Sequence, residues 1–292
     1  MTTIPSDTQG TDDSHPKAHL SNLMQRVITG VIVIPVVLVV SIAGGWIYSL
    51  FVAALAMIGV LEFYDMTRSR GAQPILPVGS LSAAGITAAF TWITLDMSSG
   101  WIVFAAVLIA HVGVCLLIGI QRGRLTAFSM IAGIVYVAIP AGLLILLRAQ
   151  LNGLIWVLLA YALTWGTDTS AYFGGRLWGK TPLAPTISPK KTREGAAAGM
   201  IGGTTLALML LIVTSTLNLP LFILTLIAPI GAILGDLLES ALKRFFQIKD
   251  SHIKGFDIFP GHGGVLDRID SLIVVTILCS IFVLMVQTGA AR

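Results

Sequence analysis

Residues 220–244 read PLFILTLIAPIGAILGDLLESALKR, an apolar run that ends in a group of charged side chains. No charged residue precedes Asp236 in this stretch. A helix needs roughly 20 apolar residues to cross a hydrocarbon core about 30 Å thick, and this run is long enough. We therefore predict a membrane-spanning helix over residues 220–242 with a polar end.

The rest of the chain has the same character. Of its 292 residues, 55% are hydrophobic and 11% are charged, and the mean hydropathy is +0.90. A soluble domain carries about 25% charged residues, so this composition excludes a soluble globular protein. The sequence predicts an all-α, polytopic transmembrane protein of about nine spans. These are 27–43, 46–65, 77–95, 99–120, 127–147, 153–173, 197–215, 220–242 and 270–288.

The basic residues predict the orientation of these spans. All but two of the 18 Lys and Arg residues fall before the first span or in alternate loops, the exceptions being Arg148 and Arg292. Because such residues accumulate in cytoplasmic loops, we expect a multi-pass protein of the plasma (inner) membrane with a cytoplasmic N-terminus and an outward C-terminus. The positive charge is explained in this way without a nucleic-acid partner.

The polar residues divide the chain into three predicted regions. Residues 1–22 form a disordered cytoplasmic tail, 23–150 an N-terminal transmembrane region and 151–292 a C-terminal transmembrane catalytic region. In the second region, Glu62 and Asp65 stand at a helix end, where we interpret them as interfacial anchors rather than a site. His111 is interpreted as a packed, hydrogen-bonded residue, and Cys115 and Cys279 as small core residues.

Two long loops of the third region, both predicted to be cytoplasmic, contain more polar residues than connectors need. Residues 165–195 read WGTDTSAYFGGRLWGKTPLAPTISPKKTREG, with Asp168 near a helix end. Ser188, Lys190, Lys191, Thr192 and Arg193 bring cations and hydroxyls together. Such a group suits a polyphosphate, and an anchor for anionic lipid is the alternative.

The second loop is flanked by carboxylates. Asp236, Glu239, Ser240 and Lys243 share one helix face, because side chains three and four residues apart are neighbours on a helix. Residues 260–271, PGHGGVLDRIDS, place Asp267 and Asp270 one turn apart at the start of the last span. The amides of a helix N-terminus also attract phosphate. The pair Gly231 and Gly235 predicts close helix approach nearby.

Together, these loops supply oxygen ligands beside cations. A divalent ion bridging carboxylates to nucleotide phosphates would use both, since Mg²⁺ prefers oxygen and commonly takes one or two protein carboxylates. The alternative is a salt-bridge network that only satisfies buried charge. We favour a polar site at the membrane boundary.

At these residues the sequence resembles the phosphatidate cytidylyltransferases, or CDP-diacylglycerol synthases, over about residues 160–275. The matching C-terminal signature comprises Ser240, Lys243-Arg244, Lys249-Asp250, His262-Gly263-Gly264, Asp267-Arg268 and Asp270. The upstream segment 188–195, SPKKTREG, also looks like a family motif. Two features depart from the family pattern: the loop 251–259 is longer, and Arg193 stands where an aromatic residue is usual.

The resemblance implies a reaction of CTP with phosphatidate that gives CDP-diacylglycerol and pyrophosphate. It makes Mg²⁺ the expected cofactor, with K⁺ as a possible second cation, and membrane lipids and a homodimer the expected partners. Asp236 and Asp267 would be metal ligands, supported by Asp270 and Glu239. Lys243 and His262 would act on the substrate phosphates. The expected substrate-binding residues are Ser188, Lys190, Lys191, Thr192, Arg193, Ser240, Arg244, Gly263, Gly264 and Arg268.

Three alternatives remain open from the sequence. A CTP-dependent lipid or polyprenol kinase would use similar residues but would release CDP. An ion-coupled transporter would also place carboxylates in its spans, although near the midplane and in inverted halves. A chain with the family fold that has lost activity through its longer loop is the third.

Overall fold

The structure is a computed structural model that describes residues 22–248 and 264–290. Within these ranges the chain is almost entirely helical. The helices are α1 (Asn22–Ala43), α2 (Gly45–Arg68), α3 (Leu76–Leu95), α4 (Met97–Arg122), α5 (Arg124–Gly133), α6 (Ile139–Ala149), α7 (Gly153–Trp178), α8 (Arg193–Val213), α9 (Leu219–Phe245) and α10 (Leu266–Ala290). A short hairpin, β1 (Pro182–Ala184) and β2 (Ser188–Thr192), follows α7.

The helical, polytopic architecture expected from the sequence is confirmed. In the described ranges, seven helical segments are long and apolar enough to cross a membrane, namely α2, α3, α4, the continuous segment Arg124–Ala149, α8, α9 and α10. The apolar part of α1, Val31–Ala43, is shorter. Helix α7 has a polar second half around Asp168. The total of nine spans therefore stays a prediction.

The first two helices are separated at Gly44, whose φ of 65° lies in the left-handed region that glycine adopts without strain. The guanidinium of Arg148 packs against this glycine and closes the end of α1. Its Nε donates to the carbonyl of Ser41 at 2.7 Å, and its Nη2 donates to that of Ile42 at 3.2 Å. A cation therefore occupies the carboxyl end of α1, where the helix dipole favours positive charge.

The span predicted over 127–147 contains a wide turn. Helices α5 and α6 are joined without a break by a π-helical turn, Ile134–Ala138. Turns of this kind insert an extra residue into a helix and occur often at functional sites. Tyr136 is the aromatic residue of this turn.

Helices α7 and α8 pack closely because α8 has a glycine at every fourth position. A Cβ added at Gly195 or Gly199 would lie 2.8 or 2.9 Å from a backbone carbonyl of α7, and one at Gly203 would collide with Thr167. This stripe was not predicted, although its four-residue spacing is visible in the sequence. The effect is to bring the hairpin and the second half of α7 beside each other.

Helices α9 and α10 also approach closely, as the pair of glycines on α9 predicted. A Cβ at Gly235 would lie 2.7 Å from the Asp270 carbonyl, and one at Gly231 would collide with Leu278. This part of the prediction is confirmed. The close contact sets the acidic end of α9 against the first turns of α10.

The interior consists of two clusters of buried apolar side chains. One joins the start of α2 and the end of α6 to α7–α10, and the other joins α2, α3, α4 and the π-helical turn to Phe246, Leu266 and Ile273. Both combine residues from either side of the predicted boundary at 150. His111 is buried and hydrogen-bonded to Ser82 at 2.7 Å, as expected, and Cys115 and Cys279 are buried.

Candidate active site

The ends of α7 and α9, the starts of α8 and α10, and the hairpin meet on one side of the bundle. Helix α9 contributes Asp236, Glu239 and Lys243, and α10 contributes Asp267 and Asp270 from its first turns. The hairpin that follows α7 lies beside them, because the guanidinium Nε of Arg244 donates to the Ile187 carbonyl at 3.2 Å. The predicted polar residues on described elements are therefore brought together.

Lys243 lies between two carboxylates. Its Nζ is 3.1 Å from Glu239 Oε2 and 2.7 Å from Asp267 Oδ1, and the three side chains are 15%, 1% and 12% exposed. The first contact follows from the four-residue spacing on α9, whereas the second joins α9 to α10. A lysine held in this way neutralises part of the charge that burial makes costly.

A second lysine comes from the hairpin. Lys191 Nζ lies 2.5 Å from Asp236 Oδ1, and both side chains are partly exposed. Strand β2 points Lys191 toward α9, while its neighbours Lys190 and Arg193 are exposed. The hairpin thus divides the predicted phosphate-binding cations into one bound to a carboxylate and two open to solvent.

Hydrogen bonds fix the hairpin to the start of α8. The Glu194 carboxylate accepts from the amides of Lys180 and Thr181 at 3.1 Å, and the Arg193 amide donates to the Thr181 carbonyl. The Thr192 hydroxyl accepts from the Gly195 amide at 3.1 Å and so caps α8. Thr192 therefore has a structural function, and its contact with substrate stays a prediction.

Asp168 lies near the carboxylates of the other helices. It is exposed on α7, accepts from the Ser271 hydroxyl at 3.4 Å, and experiences the charges of Asp236 and Asp270. Asp270 is buried and accepts the amide of Ser271 at 2.7 Å. Three carboxylates from three helices thus share one region of the site.

The first amides of α10 already have acceptors. The Glu62 carboxylate on α2 accepts from the Val265 amide at 2.9 Å and from the Leu266 amide at 2.7 Å. The Gly264 amide donates to Asp267 Oδ2 at 3.1 Å. The amides that we expected to bind a phosphate therefore bind the protein's own carboxylates.

The remaining predicted residues fall into two groups. Ser188 and Ser240 are half-buried, on β2 and α9, and Arg244 and Arg268 are exposed. His262 and Gly263 lie outside the described residues, as do Lys249, Asp250 and the loop 251–259.

The charges suit a bound cation. In the described part of the site, five carboxylates (Asp168, Asp236, Glu239, Asp267 and Asp270) lie with two bound lysines, Lys191 and Lys243. Among the described residues, no three His, Cys, Asp or Glu side chains converge at metal-binding distance. A cation bound here would therefore take one or two of these carboxylates and complete its shell with substrate oxygens and water, as Mg²⁺ commonly does.

Two residues near the site were not predicted as part of it. Glu62 was interpreted as an anchor, and its partners lie more than 200 residues away along the chain. Tyr136, on the π-helical turn, is within electrostatic range of Asp236, Glu239 and Asp270, and its hydroxyl is buried without a hydrogen-bond partner among the described residues. No local spacing in the sequence marks either residue.

Comparison with known proteins agrees with the sequence motifs. A model of the cytidylyltransferase family matches residues 24–286. A phosphatidate cytidylyltransferase of Staphylococcus saprophyticus is 34% identical over 270 residues, which cover 89% of this chain and 99% of that protein. Those of Staphylococcus haemolyticus and Staphylococcus aureus are 33% and 32% identical over 267 residues, covering 89% of this chain and 98% of each relative.

Proposed function

The chain belongs to the cytidylyltransferase family, and from this membership we propose that it is a membrane-embedded phosphatidate cytidylyltransferase. It transfers the cytidylyl group of CTP to phosphatidate, giving CDP-diacylglycerol and pyrophosphate in phospholipid biosynthesis. The observation that carries the proposal is a set of two ion pairs at one end of the bundle, Lys191 with Asp236 and Lys243 with Asp267, which join the two polar loops found in the sequence.

The reaction joins two polyanions. A phosphate oxygen of phosphatidate attacks the α-phosphorus of CTP, and the bond from that phosphorus to the bridging oxygen of the β-phosphate breaks, releasing pyrophosphate. The lipid phosphate is already ionised near neutral pH, so deprotonation contributes little. Catalysis therefore depends on neutralising charge and on aligning the attacking and leaving oxygens.

We assign the exposed cations to the neutralisation of substrate charge. Lys190 and Arg193 on the hairpin side are not held by the carboxylates that bind Lys191 and Lys243, so we assign them to the triphosphate. Arg244 and Arg268, at the ends of α9 and α10, are assigned to the phosphatidate head group. The acyl chains would remain in lipid beside the apolar helix faces.

In this proposal, the bound lysines hold the carboxylates in position. Lys243 bridges Glu239 and Asp267 and so fixes their separation, and Lys191 fixes the position of Asp236. These contacts order the carboxylates before substrate arrives. Preorganised charge of this kind contributes to catalysis because little reorganisation is needed during the reaction.

The proposed cofactor is Mg²⁺, held by Asp236 and Asp267 with support from Asp270 and Glu239. The bound ion would neutralise phosphate oxygens and the charge that develops on the leaving pyrophosphate. The resemblance extends the proposal to a monovalent cation such as K⁺, which is tested by replacing K⁺ with choline in the assay.

The location of the site is also a proposal. The apolar helices make this a membrane protein, and the basic loops favour a cytoplasmic active site in the plasma membrane. A cysteine introduced at the exposed Lys190 should react with a membrane-impermeant maleimide only in inverted vesicles. We also propose a homodimer, which the mass of the detergent-solubilised protein tests.

The test of function is a product analysis. The purified protein, in detergent with CTP, phosphatidate and Mg²⁺, should form CDP-diacylglycerol and pyrophosphate. Both should be lost with Asp267→Ala and after metal removal, while Asp65→Asn, which changes a carboxylate paired with Arg68 at 3.2 Å, should remain active. CDP with a newly phosphorylated lipid would instead indicate a kinase, and near-wild-type turnover by a folded Asp267→Ala would contradict the metal assignment.

A further inference from the structure

A buried carboxylate in the first half of the chain contacts the start of α10. Glu62 is 2% exposed, and its two oxygens accept the amides of Val265 and Leu266 at 2.9 and 2.7 Å. Each oxygen thus serves a different amide, so the carboxylate is held in one orientation. A negative charge at a helix N-terminus is also favoured by the helix dipole.

The residues that directly follow α2 contact the end of α9. The Ser69 hydroxyl donates to the Phe246 carbonyl, and Arg70 Nε donates to the Phe245 carbonyl at 2.8 Å. The Arg70 guanidinium also lies 4.8 Å from the centre of the Phe245 ring. Residues 62–70 therefore bind both the end of α9 and the beginning of α10, the two helices that supply most carboxylates of the site.

In the sequence, Asp267 comes directly after the two residues whose amides Glu62 accepts. It lies one position after Leu266, its Oδ2 accepts the Gly264 amide at 3.1 Å, and its Oδ1 accepts from Lys243 at 2.7 Å. A rotation of this first turn would move Asp267 relative to Lys243, which α9 carries. The position of Asp267 thus depends on the two bonds made by Glu62.

We infer that Glu62 is a positioning residue for cytidylyl transfer, which acts by fixing the first turn of α10 and hence Asp267. This inference rests on the proposed function. In this inference, Glu62 acts through Asp267 rather than directly on the reacting phosphates. Its contribution is geometric, and displacement of a catalytic group by about 1 Å can cost about 100-fold in rate.

A purely structural cap predicts a different result. Such a cap would lower the amount or thermal stability of folded protein but leave the turnover of each folded molecule unchanged. A positioning residue lowers kcat in folded protein, with little effect on the KM for either substrate, and its effect is not independent of changes at Asp267.

The test compares Glu62→Gln with the matched control Asp65→Asn, one turn further along α2. Glutamine keeps the size of the side chain but can accept only one of the two amides with its oxygen. We expect Glu62→Gln to lower kcat about 10- to 100-fold, with each KM within about threefold of wild type. Asp65→Asn should stay within about twofold.

A double variant separates positioning from stability. Asp267→Glu alters the carboxylate position directly, so Glu62→Gln/Asp267→Glu should lose less activity than the product of the two single losses. Melting temperatures measured in detergent establish the folded fraction. Should Glu62→Gln not fold, Glu62→Asp is measured by the same criteria.

Two results would overturn the inference: wild-type kcat in the folded variant, or losses that multiply independently. Failure of the proposed function would look different, because the wild-type protein and Asp65→Asn would then also make no CDP-diacylglycerol. An active wild type with an unaffected Glu62 variant contradicts the inference alone.

Discussion

Polar side chains gather at both ends of α2, and the two groups differ in composition. At its start, Tyr48 and Tyr161 share a hydroxyl contact of 3.4 Å, Ser41 lies 3.2 Å from Tyr161, and the cation Arg148 donates to backbone carbonyls. Near its end, Glu62 accepts the amides at the start of α10, the helix that carries Asp267 and Asp270. We call these the far end and the site end.

The difference lies in how charge is balanced. The far end combines one cation with neutral hydroxyls and with two carbonyls at the end of α1, which the cation caps. At the site end, the described carboxylates outnumber the lysines that bind them. Surplus carboxylates of this kind are suited to binding a cation, so the comparison distinguishes a structural polar group from one that can bind a ligand.

Removal of metal should have the largest effect and should act on the site end alone. Chelation of divalent ions should abolish turnover, and Mg²⁺ at 100 times its Kd should stabilise the protein by about 2.7 kcal/mol. Thermal melting with and without Mg²⁺ measures this shift. Arg148→Gln should show the same shift as wild type, and Asp236→Asn a smaller one. An equal shift in all three proteins would remove the contrast between the two ends.

Lys243→Met should have the next largest effect. It leaves Glu239 and Asp267 buried without their shared cation, which should cost about 3 kcal/mol in free energy of unfolding. Turnover should fall about 100-fold as the carboxylates move apart. Unfolding in mixed micelles and product assays measure both quantities.

The control for this change is Lys243→Arg, which keeps the charge. It should lose less stability and less turnover than Lys243→Met. Adding Glu239→Gln to Lys243→Met should recover part of the stability, since one buried charge is removed, but not the activity. If Lys243→Met were as active as wild type, the bound lysine would be no more than a structural residue, like Arg148.

Arg148→Gln should have the smallest effect. It removes two charged hydrogen bonds to the end of α1, which should cost about 1.5 kcal/mol in free energy of unfolding. The turnover of each folded molecule should stay within about twofold of wild type. The exposed Arg124→Gln is the matched control and should change stability by less than about 0.5 kcal/mol. A loss of kcat in Arg148→Gln would show that the far end also serves the reaction.

The sequence predicted those features that depend on local spacing. The length of apolar runs located the helices, and three- and four-residue spacing placed Asp236, Glu239 and Lys243 on one face of α9. The pair of glycines on α9 correctly predicted the approach of α10. These inferences succeed because helix geometry alone relates neighbouring side chains.

Other features depend on contacts between distant segments. The pairing of Lys191 with Asp236 requires the fold of the hairpin, and the contact of Glu62 with α10 requires the packing of the first and last helices. The π-helical turn at Tyr136 contains no proline or glycine, but Gly133 and Pro140 flank it, so its sequence does carry a local signal. Tertiary packing, rather than local preference, determines the contacts of Lys191 and Glu62.

The contact of Glu62 with α10 has a consequence for biogenesis. The carboxylate precedes its partner Val265 by 203 residues. At about 5–20 residues per second, the ribosome delivers those amides about 10–40 s after α2 has been made. During that interval, water at the membrane surface must solvate Glu62, because an unpaired carboxylate in hydrocarbon is costly. The partly synthesised chain therefore keeps this end of α2 near the membrane surface. Closure of the active site is then among the last steps of assembly.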